Sequence, residues 1–396
     1  MRELIKYEFL KLYKAKMNRI VLVCVFVFLM SCMILGVEQT METDKNGEIV
    51  TGLTAIRLTK ENAEMVSGTL FEERLSTDLQ EYQSLWNNSD NKVEVGTINE
   101  YWNEEMQISY YNARAGYFMW LNHNYDEPGI RTWGEQLRAR DFSDGAKFYE
   151  TRKTRIDEIL CYGTSDWEYS EAEQAYWRQK TEQVETPYRY GYGEGWQRIL
   201  DCLAFFMYII IVICMLAASV YAGEYERGTD HIILTTKYGK SKIVTAKNLA
   251  AVLYGLLVLT IHVAAMFVFL LSCFGTEGAD LPIQVCDATF PYPVNYIQAV
   301  LIGTGIYYVG CIGMIAVTLF LSARMKRALP VFATVLGFVL IGVIFKESMT
   351  NGIYNHIRIL LPYHALNVGA YFFDGMISYP FGKIVFNFID MCYIVY

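Results

Sequence analysis

The residue types that do enzyme chemistry are present in this chain, but their spacing assembles no catalytic centre. It has five histidines and nine cysteines. A zinc hydrolase of the His-Glu-x-x-His type needs two imidazoles one helical turn apart; here no histidine stands three or four residues from another. There is no Gly-x-Ser-x-Gly and no paired Cys-x-x-Cys. Gly239-Lys240-Ser241 has the ending of a phosphate-binding loop, yet position 234 is Leu where the first glycine is required. The polar stretch that holds it, 223–249, is also too short for a nucleotide domain. The chain is therefore expected to be no enzyme itself and to bind no metal, nucleotide or other cofactor. Any energy-dependent work would draw its energy from a partner.

The elements that must position these groups are largely apolar. Of 396 residues, 53% are hydrophobic and 19% charged, against ~25% charged in an ordinary soluble domain. The net charge of −8 excludes a generic nucleic-acid binder. Crossing ~30 Å of hydrocarbon takes about 20 mostly apolar residues. Candidate spans are Ile20 to Val37, Leu203 to Ala222, Ala250 to Phe274, Ile297 to Leu321, the shorter Leu329 to Phe345, and Ile377 to Tyr396, the last interrupted by Pro380, Lys383 and Asp390. The expected fold is an all-α polytopic membrane protein with six transmembrane helices. His262 and Asp390 then fall at membrane depth, where ionisable groups are costly and are candidates for function. The plainer role for either is a hydrogen bond to a neighbouring helix.

Lys and Arg counts in the short flanks orient the spans. Residues 1–19 carry six, the loop 223–249 five, and Arg324, Lys326 and Arg327 three, whereas 275–296 has none and 346–380 only Lys346 and Arg358. This puts the N-terminus in the cytoplasm of a bacterial cell, the chain in its plasma membrane, and residues 38–199 outside. The apolar part of the first run exceeds a signal-peptide core and lacks a small-residue cleavage pattern, so it reads as an uncleaved span. Cys161 and Cys286 are the two cysteines clearly outside the spans, and free thiols are expected at both.

The insert 38–199 holds 17 basic and 30 acidic side chains. Leu53, Ile56, Met65, Leu70, Leu75, Leu79, Tyr82 and Trp86 recur at roughly helical spacing, and 97–121 continues the pattern. Ser170-x-x-Glu173 reads as a capping box opening a helix through Gln183. All seven tryptophans lie in this insert. Core packing in a small helical domain is the expected use of most of them, with a ligand-binding aromatic surface as the alternative.

The segment after the second span reads Ala222-Gly-Glu-Tyr-Glu-Arg-Gly-Thr229, then 232–242, then Ala246-Lys247. Gly228 should end one helix, and Thr229 or Asp230 should cap a short second one projecting from the membrane. This stretch resembles the permease subunits of type-2 ABC exporters, in which a Glu-x-x-x-Gly-Thr segment forms a coupling helix. The amphipathic N-terminal helix, the large insert between spans one and two, the Gly195-Trp196 approach and the Leu361-Pro362-Tyr363 segment resemble that family too. The resemblance implies a layout of 1–19 as interface helix, 20–37 as span one, 38–199 as extracellular helical domain, and 200–396 as spans two to six with the coupling loop 223–249. It assigns ATPase coupling to Glu224, Tyr225, Glu226, Arg227, Gly228 and Thr229. Lys6, Phe9, Lys11 and Lys14 would belong to the N-terminal interface helix, its lysines facing membrane lipid.

The function implied is outward movement of amphipathic peptides such as lantibiotics, of drugs or of ions. The partners implied are cytoplasmic ABC ATPase subunits, which would hold the ATP and Mg, and a second permease in a homo- or heterodimer. A non-transporting sensor or scaffold, whose insert binds an envelope ligand, is the reading from another class.

Overall fold

A computed structural model describes residues 1–396 apart from 96–98, 126–134, 165, 237, 240, 368 and 374. Lys237 and Lys240 of the basic loop, and Thr97 at the head of the second helical run, lie outside the described residues. The principal helices of the first half are α1 (Arg2–Lys14), α2 (Lys16–Glu38), α3 (Gly52–Val66), α4 (Glu72–Asn87), α5 (Ala115–Tyr125), α6 (Phe148–Tyr162) and α7 (Glu171–Glu182). They are followed by α8 (Glu194–Arg227), α9 (Asp230–Thr235), α10 (Lys242–Phe274), α11 (Tyr296–Arg324), α12 (Ala328–Ile344), α13 (Gly352–Ile359) and α14 (Phe388–Val395). Short strands β1 (Met41–Thr43), β2 (Ile49–Thr51), β3 (Gly68–Thr69), β4 (Lys92–Val95), β5 (Asn99–Trp102), β6 (Arg189–Tyr190), β7 (Ser378–Phe381) and β8 (Ile384–Asn387) form four antiparallel ribbons: β1–β2, β3–β6, β4–β5 and β7–β8. The chain is mostly helical, but its ribbons depart from a purely α architecture.

Four helices, α2, α8, α10 and α11, are long and apolar enough to cross a membrane, and α12 is a shorter apolar helix of 17 residues. They mark a membrane-embedded protein. The sixth span expected over Ile377 to Tyr396 is not a single helix. Pro380 and Phe381 pair with Val385 and Ile384 in the β7–β8 hairpin, which turns at Gly382-Lys383. A capping box between Asn387 and Asp390 then starts α14. Its eight residues extend about 12 Å, well short of the ~30 Å hydrocarbon core. Asp390 is thus a helix cap, its Oδ2 accepting from Asn387 Nδ2 at 2.8 Å, and not a lone charge in mid-helix. The first helix ends before position 19: Ala15, at φ −59° and ψ 118°, separates α1 from α2, so Lys16 to Arg19 belong to α2.

The insert contains two cores. Leu75, Leu79, Tyr82, Trp86, Trp102, Phe118, Trp120 and Phe148 form one of them. Trp86 meets Trp102 edge to face at 4.8 Å between centroids, the geometry in which aromatic pairs add stability beyond their buried area. The second core is continuous with the bundle. Ile156, Leu160 and Trp177 pack with Ile199, Tyr292 and Phe373, so the boundary expected near 199 runs through a shared interior. Trp177 is fully buried and donates Nε1–H to Ser378 Oγ at 3.1 Å.

The segment between α10 and α11 is threaded into the insert. Arg152, buried on α6, donates to the carbonyls of Ala288 and Phe290, and Trp120 Nε1 donates to the carbonyl of Gln284 at 2.8 Å. Each of these buried polar groups would cost free energy if left unpaired. At the base of the insert, Gly195 on α8 lies so close to the Gly275 carbonyl that no side chain fits between them. The bundle itself is closely packed: Gly255 on α10 faces Ile315 and Ile213, which leave no room for a Cβ.

Candidate coupling site

The end of the bundle opposite the insert is built by α1, the last two turns of α8, α9 and the first turns of α10. α8 stops in a manner its sequence dictates. Gly228 adopts φ +67°, donates N–H to Tyr225 O at 3.1 Å, and lets Thr229 N donate to Glu224 O at 3.0 Å. This is the glycine-terminated helix end that closes the last carbonyls while reversing the chain. Thr229 does not cap α9 with its side chain; its hydroxyl donates back to the Glu224 carbonyl at 3.4 Å.

Glu224 sits just before that stop and is buried, 5% exposed. Lys11 Nζ donates to its Oε1 at 2.7 Å, and Lys247 Nζ, from α10, donates to its Oε2. Lys247 is 2% exposed and also lies over the Tyr221 ring, 5.1 Å from its centroid. One carboxylate therefore joins three helices through two ammonium groups. A buried ion pair is a weak source of net stability, but it is expensive to break by removing one partner. It fixes the position of α1 and α10 relative to the end of α8.

Two further contacts stiffen the arrangement. Phe9 on α1 packs edge to face on Tyr254 of α10, centroids 5.6 Å apart. Ser322 of α11, fully buried, accepts from the backbone N–H groups of Tyr221 and Ala222 and donates to Ala218 O. A side chain inserted into the backbone ladder of α8 at this point accounts for the irregularity between its segments Phe206–Ala217 and Ser219–Arg227.

The structure thus divides the residues singled out in the sequence. Glu224 and Lys11 meet; Tyr225, Glu226, Arg227 and Gly228 remain exposed, and Thr229 is half-buried. Lys6 and Lys14 are exposed and Phe9 is packed, so the four residues of the first helix do not act as one group. His262 lies away from this site. It is 7% exposed, holds the carbonyl of Val258 through Nδ1 at 2.7 Å, and packs against Phe26. Asp390 belongs to the opposite end, beside Asn387, which also bonds Tyr176 of the insert.

Sequence reasoning missed Lys247 and Ser322. Lys247 counted as a basic flank and as part of the segment entering the third span, with no partner assigned to it. The signal available was its place among Ala246, Ala250, Ala251 and Tyr254, a small-residue face that cannot be solvated. Ser322 carried no signal beyond a hydroxyl inside an apolar helix.

Beside the ion-pair cluster lies a mainly apolar cleft of about 510 Å³, bordered by Tyr221, Ile233, Leu234, Val244, Lys247 and Phe320. α9 forms its outer wall. None of the residues of α9 is buried; Ile232 is 69% exposed and Leu234 44%. Among the described residues no three His, Cys, Asp or Glu side chains are grouped as a metal site.

Residues 174–396, more than half of the chain, match the sequence profile of a family described as "Protein of unknown function (DUF2705)". No curated protein and no solved structure matches the chain. The matched region starts within α7 and contains Glu224, Lys247 and Ser322, while Lys11 lies before it.

Proposed function

We propose that this chain, which belongs to the DUF2705 family, is the transmembrane permease subunit of an ATP-driven ABC exporter. The observation that supports this reading most is the construction of the coupling end. α9 presents exposed Ile232 and Leu234 on a short helix, and the chain immediately before it is locked by Glu224 to both α1 and α10. A push on α9 would reach α8 and α10 as a rigid-body displacement, because the buried Glu224–Lys247 charges that join them have no solvent to retreat into, and would reach α1 through the more exposed Lys11.

In this reading the N-terminus and α9 face the cytoplasm, as the distribution of Lys and Arg favours, and the insert lies outside. Cytoplasmic ATPase subunits hold the ATP and Mg, receive α9 in a surface groove, and drive α8 and α10 through the cycle. This chain contributes no nucleotide site. A second permease, the same or similar, completes the pathway, and the cargo is an amphipathic peptide, a drug or an ion. The continuous core between α6, α7 and the bundle allows the insert to move with α8.

The test is purification of the chain from its native membrane in mild detergent, with identification of what accompanies it. Transport predicts a nucleotide-hydrolysing subunit in fixed ratio, lost in an Ile232→Glu, Leu234→Glu variant that still reaches the membrane. A complex without any such subunit refutes export and leaves the sensor or scaffold reading.

A further inference from the structure

The cleft beside the ion-pair cluster has the depth and the rim of a lipid site. Its volume of about 510 Å³ falls within the roughly 300–1,000 Å³ of pockets that hold small ligands. Two of its walls belong to membrane-spanning helices: Val244, Lys247 and Val252 from the first turns of α10, and Ile312, Phe320 and Ala323 from the last turns of α11. From Ala323 back to Ile312 the lining follows α11 for about 16 Å. That is about half of the ~30 Å hydrocarbon core, the depth of one leaflet.

The cleft opens sideways, onto surface that a bilayer covers. Val244, Ile312 and Phe320 line it and are themselves exposed, and Leu249, Leu253 and Leu257 are exposed at successive turns of α10. On the other side α9 closes the cleft with Ile233 and Leu234, although the protein buries none of the residues of α9. An empty cleft would leave these side chains without packing partners on one face. Water is a poor occupant, because so apolar a lining offers it few hydrogen bonds.

The rim supplies charge of one sign. Arg324 lies over the Phe320 ring, its guanidinium carbon 5.0 Å from the centroid, and Lys242 lies over the Tyr238 ring at 4.5 Å. Both are exposed, and neither has a carboxylate partner among the described residues. Lys326 and Arg327 follow, exposed, in the turn to α12. Within the lining Glu224 is neutralised by Lys11 and Lys247, which leaves Asp230, with His231 at 3.8 Å, against these cations. Basic groups at the end of a spanning helix attract anionic head groups. A free phosphate would use the rim and leave the apolar cleft unfilled; a phospholipid satisfies both.

We propose that the cleft holds one acyl chain of an anionic phospholipid, whose phosphate is met by Lys242 and Arg324. The acyl chain packs behind Ile233 and Leu234 and sets the position of α9, while Ile232 stays exposed on its outer side. The assignment needs only that α10 and α11 lie in a membrane, and it holds whether or not α9 meets an ATPase.

The experiment uses the full chain in phosphatidylcholine nanodiscs with increasing fractions of a phosphatidylglycerol that carries a diazirine in one acyl chain. Irradiation marks the residues in contact, and peptide mass spectrometry locates them. Labelling within 230–236 and 312–323 should saturate at low probe fraction, whereas labelling of the exposed α10 face around Leu257 and Val268 should grow in proportion to the probe. The same diazirine on phosphatidylcholine should mark that face equally and the cleft about tenfold less. Ala316→Trp, which fills the cleft, and the pair Lys242→Ala, Arg324→Ala should each remove the saturable part, in preparations whose melting curves match the unaltered chain. If Ala316→Trp fails to fold, Val252→Trp takes its place. Cleft labelling that never saturates, equal labelling by the phosphatidylcholine probe, or saturable labelling unchanged in the folded variants would overturn the assignment. So would an unlabelled cleft, the result expected if a second copy of the chain or a peptide fills it.

Discussion

Lys11 and Glu224 are 213 residues apart in sequence and 2.7 Å apart in space, Nζ to Oε1. The contact ties the first helix of the chain to the last turn of α8. Lys247 holds the other carboxylate oxygen from a fully enclosed position. The two lysines are not equivalent, because Lys11 is 38% exposed at its side chain and Lys247 only 2%.

That asymmetry sets the first expectation. Glu224→Gln leaves Lys247 charged and buried without a counter-ion, and should cost about 3–5 kcal/mol. Lys11→Met removes a partner that water can replace, and should cost about 1 kcal/mol or less. The paired change Glu224→Met, Lys247→Met should recover most of the stability, since well-packed apolar groups replace buried ion pairs at little cost. Thermal melts of the detergent-solubilised variants check the order; Glu224→Gln as mild as Lys11→Met would contradict it.

The tryptophans offer a second test. Trp102 and Trp120 are buried at 5% and 7% exposure, and Trp120 also donates to Gln284 O. Either one changed to Ala should lower stability by about 3–5 kcal/mol. An unchanged melt with altered ligand response would instead make them a recognition surface.

Much of this was readable from the residues. The capping box at Ser170 and Glu173 opens α7 as the local sequence demands, and Gly228 ends α8 as expected. The runs of apolar residues locate the four long helices. The ribbon β1–β2 was missed although Asn46-Gly47 is a hairpin signal, because the insert was read as helical as a whole from the spacing that begins at Leu53. The span expected over 377–396 failed although Pro380, Lys383 and Asp390 were seen to interrupt it, because the turn at Gly382-Lys383 and the Asn387–Asp390 capping box were not recognised as the end of a hairpin and the start of a short helix. The union of Lys11, Glu224 and Lys247 depends on contacts between distant helices, which local spacing does not encode.

A third expectation concerns pH. His356 stacks on Trp167, with centroids 3.8 Å apart, and holds the Gly352 carbonyl through Nδ1 at 2.8 Å. Burial pushes its pKa below the ordinary histidine value, outweighing that carbonyl and the nearby carboxylates of Asp166 and Glu173. Asp166 is held below the usual carboxylate range by the bond from Asn355, so it stays charged through mildly acidic conditions. The unfolded imidazole takes up a proton near pH ~6.5 while the folded one resists it. Stability from this contact is therefore complete above that pH and is lost as pH falls through the lower folded value. Protection of the α13 amides, taken as exchange relative to the intrinsic rate at each pH, should fall as pH drops from about 7.5 to 5, and His356→Phe should remove the fall. Protection independent of pH would rule out a neutral buried imidazole.

A fourth expectation addresses orientation. Cys161 is exposed on the insert and unpaired, and Cys286 is bonded to Tyr296 OH at 3.2 Å with its thiol pushed up to about 12 by burial. In intact cells an impermeant thiol reagent should label the chain, and Cys161→Ser should abolish most of that labelling. In that background Ile232→Cys should react only after permeabilisation. The reverse pattern would place α9 outside and end the coupling argument.

Close backbone approach gives a fifth. Gly195→Ala drives a methyl group into the Gly275 carbonyl at the base of the insert, and should cost about 1–3 kcal/mol through overpacking. A melt equal to that of the unaltered chain would show that the α8–α10 approach is looser than described.

The central claim is that force from an ATPase enters at α9 and is carried by the Glu224 cluster. Its most direct test is ATP hydrolysis by the purified complex in nanodiscs, measured together with cargo movement in vesicles. The account predicts that hydrolysis copurifies with the chain and that Ile232→Glu, Leu234→Glu eliminates it by releasing the ATPase. It also predicts that Lys11→Met keeps the ATPase bound while lowering the cargo moved per ATP. A complex that hydrolyses no ATP, or coupling unchanged in both variants, would contradict it.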